Sequence, residues 1–215
     1  MSTATPIVHV VDDDESFRTA LMRLLQAAGF EVRGYASAGD FLIAWPGDAA
    51  GCVLLDVNMP GPSGLDLQAA FASHGIDLPI VFLTGHGDVP MSVRAMKAGA
   101  VDFLTKPVER EPLFKAVREA LARDARVRDA GGRLRELRAL YDRLTPRERE
   151  VLAGVIAGKL NKQIAADIGA AERTVKAHRA QVLEKLRAGS VAELVRIATE
   201  LGLVLPSKPS QRRDA

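Results

Sequence analysis

A chain of 215 residues is long for one small domain and comfortable for two, and its 47% hydrophobic content can fill real cores, which excludes a disordered protein. The single Cys (Cys52) excludes an internal disulfide, apolar runs fall far short of the ~18 residues that span a bilayer, and no secretory n-region or h-region opens the chain, so it reads as cytoplasmic with no membrane partner. Residues 1–121 carry 9 basic and 15 acidic side chains (balance −6) against 20 basic and 12 acidic in 122–215 (balance +8), so the net +2 hides an acidic half and a basic half with different partners.

The first predicted strand, IVHVV (7–11), runs straight into Asp12, Asp13, Asp14 and Glu15. Two like charges about 4 Å apart repel by roughly 1 kcal/mol in water, and by several times that near a protein surface. These carboxylates therefore either splay into solvent or surround something positive. Asp14 fits the N-cap of a helix beginning at Glu15, whose apolar face takes Phe17, Ala20, Leu21, Leu24, Leu25 and Ala28 and which stops at Gly29. Further apolar runs follow at 31–35, 52–56, 80–84 and 101–104, with helical patterns between them. That alternation predicts a doubly wound, flavodoxin-like parallel sheet of five strands covered on both faces.

In open α/β sheets, ligands bind in the crevice beyond the carboxyl ends of the strands. Here strand 1 ends in Asp12 and Asp13, strand 3 in Asp56 and strand 4 in Thr84, while strand 5 is followed by Lys106 and Pro107. Three carboxylates, one hydroxyl and one ammonium are thus expected to converge. A hard divalent cation with oxygen ligands, such as Mg²⁺, would relieve the repulsion among the carboxylates.

The segments VVDDDE, LLDVNMPGPSGLDL and IVFLTGHGDVPMSVRAMKAGAVDFLTKP resemble, over its whole length, the receiver domain of two-component response regulators, expected here at 1–121. The resemblance implies that Asp56 accepts a phosphoryl group from a sensor histidine kinase. It implies that Asp13, Asp56 and the backbone carbonyl of Asn58 ligate Mg²⁺ directly, that Asp12 acts mostly through a bound water, and that Thr84 and Lys106 grip phosphate oxygens. Phe103 is implied as the switch aromatic that follows the turn of the Thr84 hydroxyl. The face of helix 4, strand 5 and helix 5 is implied as a homodimer surface. Asn58 and His86 stand two residues beyond Asp56 and Thr84, at positions that tune hydrolysis of the acyl phosphate in the family. Cys52 and Trp45 read as structural.

Residues 122–143 are expected as a helical linker, broken at Gly131-Gly132. Leu134, Leu137, Tyr141 and Leu144 recur at spacings of 3, 4 and 3, which fits a helix packed onto the next domain or, alternatively, a short dimer-supporting helix. Thr145 and Glu148 then form a capping box with Pro146 at the first helical position, and Val151, Leu152, Val155 and Ile156 continue an apolar face as far as Gly158. Helices at 161–168, 172–186 and about 191–201 follow, the first two joined by the three-residue turn GAA, as in a helix-turn-helix.

From Leu144 to Leu201 the chain resembles the LuxR-type four-helix DNA-binding domain, expected as an all-α unit at 144–205 before a disordered tail at 206–215. The two halves together resemble the FixJ type of regulator. On the recognition helix Val175, Val182, Leu183 and Leu186 are expected to face the core, with Thr174, Lys176, His178 and Arg179 towards double-stranded DNA. Lys162 and Arg173 are candidate phosphate contacts. Ala171 stands where the family usually has Ser or another good cap, which leaves the first turn of that helix weakly held. The function implied is a non-enzymatic transcription regulator that dimerises on phosphorylation, with RNA polymerase a candidate partner. Three alternatives stand beside it. In one, the receiver is a protein-interaction module that needs no phosphorylation. In another, the chain is a dehalogenase-type phosphatase, which would need an acid where Asn58 stands. The third is an RNA-binding output domain, against which the deep, narrow major groove of RNA argues.

Overall fold

The computed structural model describes residues 5–45, 47, 49–85 and 89–203; His86 and the expected tail 206–215 lie outside them. The chain divides into two compact units, Met1–Arg128 and Asp129–Ala215. In the first, strands β1 (Ile7–Val11), β2 (Glu31–Tyr35), β3 (Gly51–Asp56), β4 (Ile80–Thr84) and β5 (Asp102–Thr105) form one parallel sheet in the order β2-β1-β3-β4-β5. Helices α1 (Glu15–Ala27), α2 (Ala38–Ala44), α3 (Gly64–Ser73), α4 (Val89–Lys97) and the first part of α5 (Arg110–Asp142) connect and follow them.

Alternation along the strands divides the core in two. Val8, Val10, Cys52, Leu54, Val81 and Leu83 pack with Leu21 and Leu25 of α1 and Leu113, Ala116 and Val117 of α5. Val11, Val53, Leu55 and Phe82 pack on the other face, with Phe41 of α2, Phe71 of α3 and Ala95 of α4. The predicted α1 stripe is narrower than expected: Leu21 and Leu25 are buried, Phe17 and Leu24 half-buried, and Ala20 and Ala28 exposed. Small side chains at the edge of a stripe add too little apolar area to be drawn in.

Two reactive side chains are sealed in this core. Cys52 is fully buried, and burial pushes its thiol up to about 12. His9 is 1% exposed, its Nδ1 3.0 Å from the Tyr35 hydroxyl and its ring stacked near Tyr35 and edge-on to Phe41. Burial, with a smaller contribution from Arg33, lowers its pKa to about 4.

Helix α5 runs unbroken through Gly131-Gly132, where the sequence was expected to interrupt it. A helix-interior Gly costs about 1 kcal/mol against Ala, which weakens a helix without ending it. A stop needs the left-handed conformation, as at Gly29, Gly158 and Gly169, and neither Gly131 nor Gly132 adopts it. Tertiary contacts hold both parts of the helix. The buried carboxylate of Asp124 accepts from Gly51 N–H at 2.9 Å and from Arg128 Nε, and Arg128 also donates to the Ala49 carbonyl. Only Gly fits at position 51, because a Cβ there would stand 2.0 Å from the Ile7 carbonyl oxygen. The expected linker 122–143 is therefore no separate body: residues up to Arg128 belong with the first unit, and from Asp129 with the second.

In the second unit, Leu137, Leu140 and Leu144 join the core of α6 (Pro146–Ile156), α7 (Asn161–Ile168), α8 (Glu172–Lys185) and α9 (Val191–Glu200). Of the predicted seam, Leu137 and Leu144 are buried within this unit and Tyr141 packs against its core, as a helix packed onto the next domain requires, while Leu134 stays exposed. The Thr145 capping box forms with Pro146 in the first turn. Its Glu148 carboxylate is buried and accepts from Lys185 Nζ at 2.7 Å, which ties the start of α6 to the end of α8. Burial works against this charge, but the bonds from Lys185 and Thr145 outweigh it and hold the Glu148 pKa below the ordinary glutamate value.

Two outcomes follow from these ties. Asp124→Ala removes the acceptor of a buried N–H and is expected to cost the first unit about 2–3 kcal/mol in urea denaturation. Because the folded pKa of Glu148 is depressed, its contribution is present above the unfolded value of about 4.3 and is lost as pH falls below it. Acid unfolding of Glu148→Gln, followed by helical circular dichroism, is therefore expected to be less steep than that of the wild type.

Candidate functional site

The order β2-β1-β3-β4-β5 reverses direction between β1 and β3, which opens a crevice at their carboxyl ends. Asp12 follows β1, Asp56 ends β3, Thr84 ends β4 and Lys106 follows β5. Asp12 and Thr84 are fully buried and Asp56 nearly so, whereas Asp13 and Asn58 are exposed. One carboxylate oxygen from each of Asp12, Asp13 and Asp56 lies within 4.8 Å of the others. Lys106 Nζ donates to Asp12 Oδ2 at 2.7 Å and to Asp56 Oδ2 at 3.1 Å, and Lys106 N–H donates to the Thr84 carbonyl at 2.6 Å.

Local structure holds these groups in place. Asp14 caps α1, accepting from Ser16 and Phe17 N–H at 2.9 and 3.0 Å, as its position predicts. Its own N–H donates to Asp12 Oδ1 at 3.0 Å, and Asn58 N–H donates to Asp56 Oδ1 at 3.3 Å. Arg18 donates to the Asp12 carbonyl, and the Lys106 ammonium lies 4.3 Å from the centre of the Phe17 ring. Arg18 and Phe17 were not singled out for the site from sequence, where Phe17 reads only as a core position of α1. Burial pushes the Asp12 carboxyl up while Lys106 pulls it down. For Lys106, burial works against the charge, but the hydrogen bonds it donates to Asp12 and Asp56 outweigh it and raise the ammonium pKa.

Three carboxylates face one ammonium, and the donor set is all oxygen. Such a cluster fits a hard divalent cation. Thr84 and Phe103 point to the opposite sheet face from Asp56, since Phe82 pairs with Phe103 and Thr84 lies two residues on from Phe82. Phe103 is half-buried, its ring 6.2 Å from that of Phe82.

In the second unit the turn between α7 and α8 rests on Gly169 at φ 64°. Val175, Val182 and Leu186 are buried and Leu183 half-buried, so the other side of α8 is free for contact. Lys162, Arg173, Thr174 and Lys176 are exposed, while His178 and Arg179 are half-buried. Arg179 Nη1 donates to Asn161 Oδ1 at 3.1 Å, an anchor on the first residue of α7 that sequence spacing did not reveal. Ala171 gives α8 no side-chain cap.

The family model described as response regulator receiver domain matches residues 8–118, and that of bacterial regulatory proteins, luxR family, matches 142–198. The chain belongs to the two-component response regulators of the FixJ type. It is 47% identical to nodulation protein W of Bradyrhizobium diazoefficiens over 92% of this chain and 87% of that protein. It is 41% identical to the transcriptional regulatory protein FixJ of the same organism, over 92% of this chain and 96% of that one. The solved structure of the response regulator StyR superposes with a TM-score of 0.83 at 46% identity, covering 92% of this chain and all of StyR. The chain is thus a response regulator with a receiver domain and a LuxR-type DNA-binding domain. Among the described residues, no helix is long and apolar enough to cross a membrane.

Proposed function

We propose that this chain accepts a phosphoryl group on Asp56 from a sensor histidine kinase and, so modified, dimerises on double-stranded DNA to regulate transcription from the cytoplasm. The observation that carries this reading is the meeting of Asp12, Asp13, Asp56 and Lys106, drawn from three strand ends, in one crevice, with Thr84 at the end of the neighbouring strand. An Asp56 carboxylate oxygen attacks phosphorus. Its P–O bond forms as the P–N bond to the kinase imidazole breaks, and the imidazole nitrogen keeps the electron pair. Asp12, Asp13, Asp56 and the Asn58 carbonyl are the residues that would hold Mg²⁺, which supplies positive charge against the equatorial phosphate oxygens. Lys106 turns to a phosphate oxygen, and the Thr84 hydroxyl swings across the end of β4 to donate to another. Phe103 then turns into the space beside Thr84.

Val89, Val93 and Met96 are exposed at successive turns of α4, which supports the surface of α4, β5 and α5 as the dimer face. To carry such a switch from 1:99 to 99:1 takes about 5.5 kcal/mol of differential stabilisation. On DNA, Lys176, Thr174 and Arg179 serve base edges or phosphates, His178 lies alongside, and Lys162 and Arg173 serve phosphates. RNA polymerase remains a candidate partner of the bound dimer.

Light scattering with Mg²⁺ and beryllofluoride, a mimic of the acyl phosphate, tests the switch. Wild type is expected to double its mass while Asp56→Asn stays unchanged; one constant mass in both removes dimerisation from the scheme. For the interface, Lys176→Ala and Arg173→Ala are each expected to flatten the slope of log affinity against log salt by about 0.9 on duplex DNA. An unchanged slope would reduce that residue to a solubilising charge.

A further inference from the structure

Lys106 carries its charge on a flexible four-carbon stem, and a lysine ammonium has three rotatable donors with no built-in direction. In the crevice, two hydrogen bonds to Asp12 and Asp56 hold it. Phosphorylation of Asp56 would replace one of these two acceptors with a larger, differently directed group, so the ammonium would have to shift towards the new oxygens without leaving the crevice. A third restraint that does not depend on either carboxylate is present. The Phe17 ring lies 4.3 Å from Nζ, within the range where an aromatic face attracts a cation.

The ring is well anchored. Its backbone N–H is held by the Asp14 cap at 3.0 Å. Its half-buried side chain packs against the core that contains Leu21, Leu25 and Leu113. The anchor and the cation therefore come from opposite ends of the fold, α1 and the residue after β5, and meet beside the phosphoacceptor.

We infer that Phe17 is a positioning residue, whose π face keeps the Lys106 ammonium in the crevice while it passes from the carboxylates to the phosphoryl group. The inference rests on the phosphoacceptor reading of Asp56. An aliphatic residue of similar bulk packs against the same core but offers no such face; Tyr offers both. Phe17→Leu is thus expected to bind beryllofluoride in the presence of saturating Mg²⁺ about 3- to 10-fold more weakly than wild type, equivalent to about 0.7–1.4 kcal/mol. Phe17→Tyr is expected to stay within twofold.

The deciding measurement is a beryllofluoride titration of the full chain at saturating Mg²⁺ for wild type, Phe17→Leu and Phe17→Tyr. It is joined by ¹H–¹³C spectra of the Lys106 side chain in the absence of beryllofluoride. Ring-current shifts on the Lys106 ε-methylene in wild type and Phe17→Tyr, absent in Phe17→Leu together with the weaker binding, support the proposal. Equal binding by Phe17→Leu and wild type overturns it, as does a loss in Phe17→Tyr as large as in Phe17→Leu, which would make the effect one of α1 packing. Failure of wild type itself to bind beryllofluoride overturns the phosphoacceptor reading, and this inference with it.

Discussion

Three carboxylates converge at the carboxyl ends of β1 and β3, and a single ammonium answers them. Asp12 and Asp56 are buried, so water screens their repulsion poorly, and most of the surrounding structure is arranged to hold them in place regardless. The Asp14 cap turns the chain away from the cluster, Arg18 fixes the Asp12 carbonyl, and the tie from Lys106 N–H to Thr84 sets the end of β5 against β4. A fold that keeps like charges together stores electrostatic energy of a kind that a cation among them relieves.

The second unit handles charge in the opposite way. Its interior ion pair, Glu148 with Lys185, is satisfied on both sides and serves to pin α8 against α6. Arg173, Thr174 and Lys176 are left exposed on the outer side of α8, while Arg179 is steadied by Asn161. The exposed basic residues thus stand on a helix whose later turns are held by the second core and whose first turn has no side-chain cap.

Strand positions were legible from sequence because five short β-branched runs alternate with amphipathic helices. The site was legible because its polar residues stand at strand ends, where topology brings them together. What stayed hidden depends on contacts across long separations. The course of α5 through Gly131-Gly132 is decided by Asp124 bonding to Gly51 and by leucines entering the second core, neither of which a local pattern encodes. Phe17 looked like one more apolar residue of α1, since nothing in its neighbours reveals that Lys106, far along the chain, ends over its ring. Arg179 and Asn161 are likewise joined only once α7 and α8 fold against each other.

The sealed core has a consequence for what the receiver can sense. His9 stays neutral down to about pH 4, and the Cys52 thiol, raised to about 12, presents almost no thiolate at neutral pH. Modest acidification of the surroundings therefore gains little hold on the sheet through the imidazole, and mild oxidants gain little through the sulfur. Through these two side chains the sheet is insensitive to modest acid and to mild oxidants.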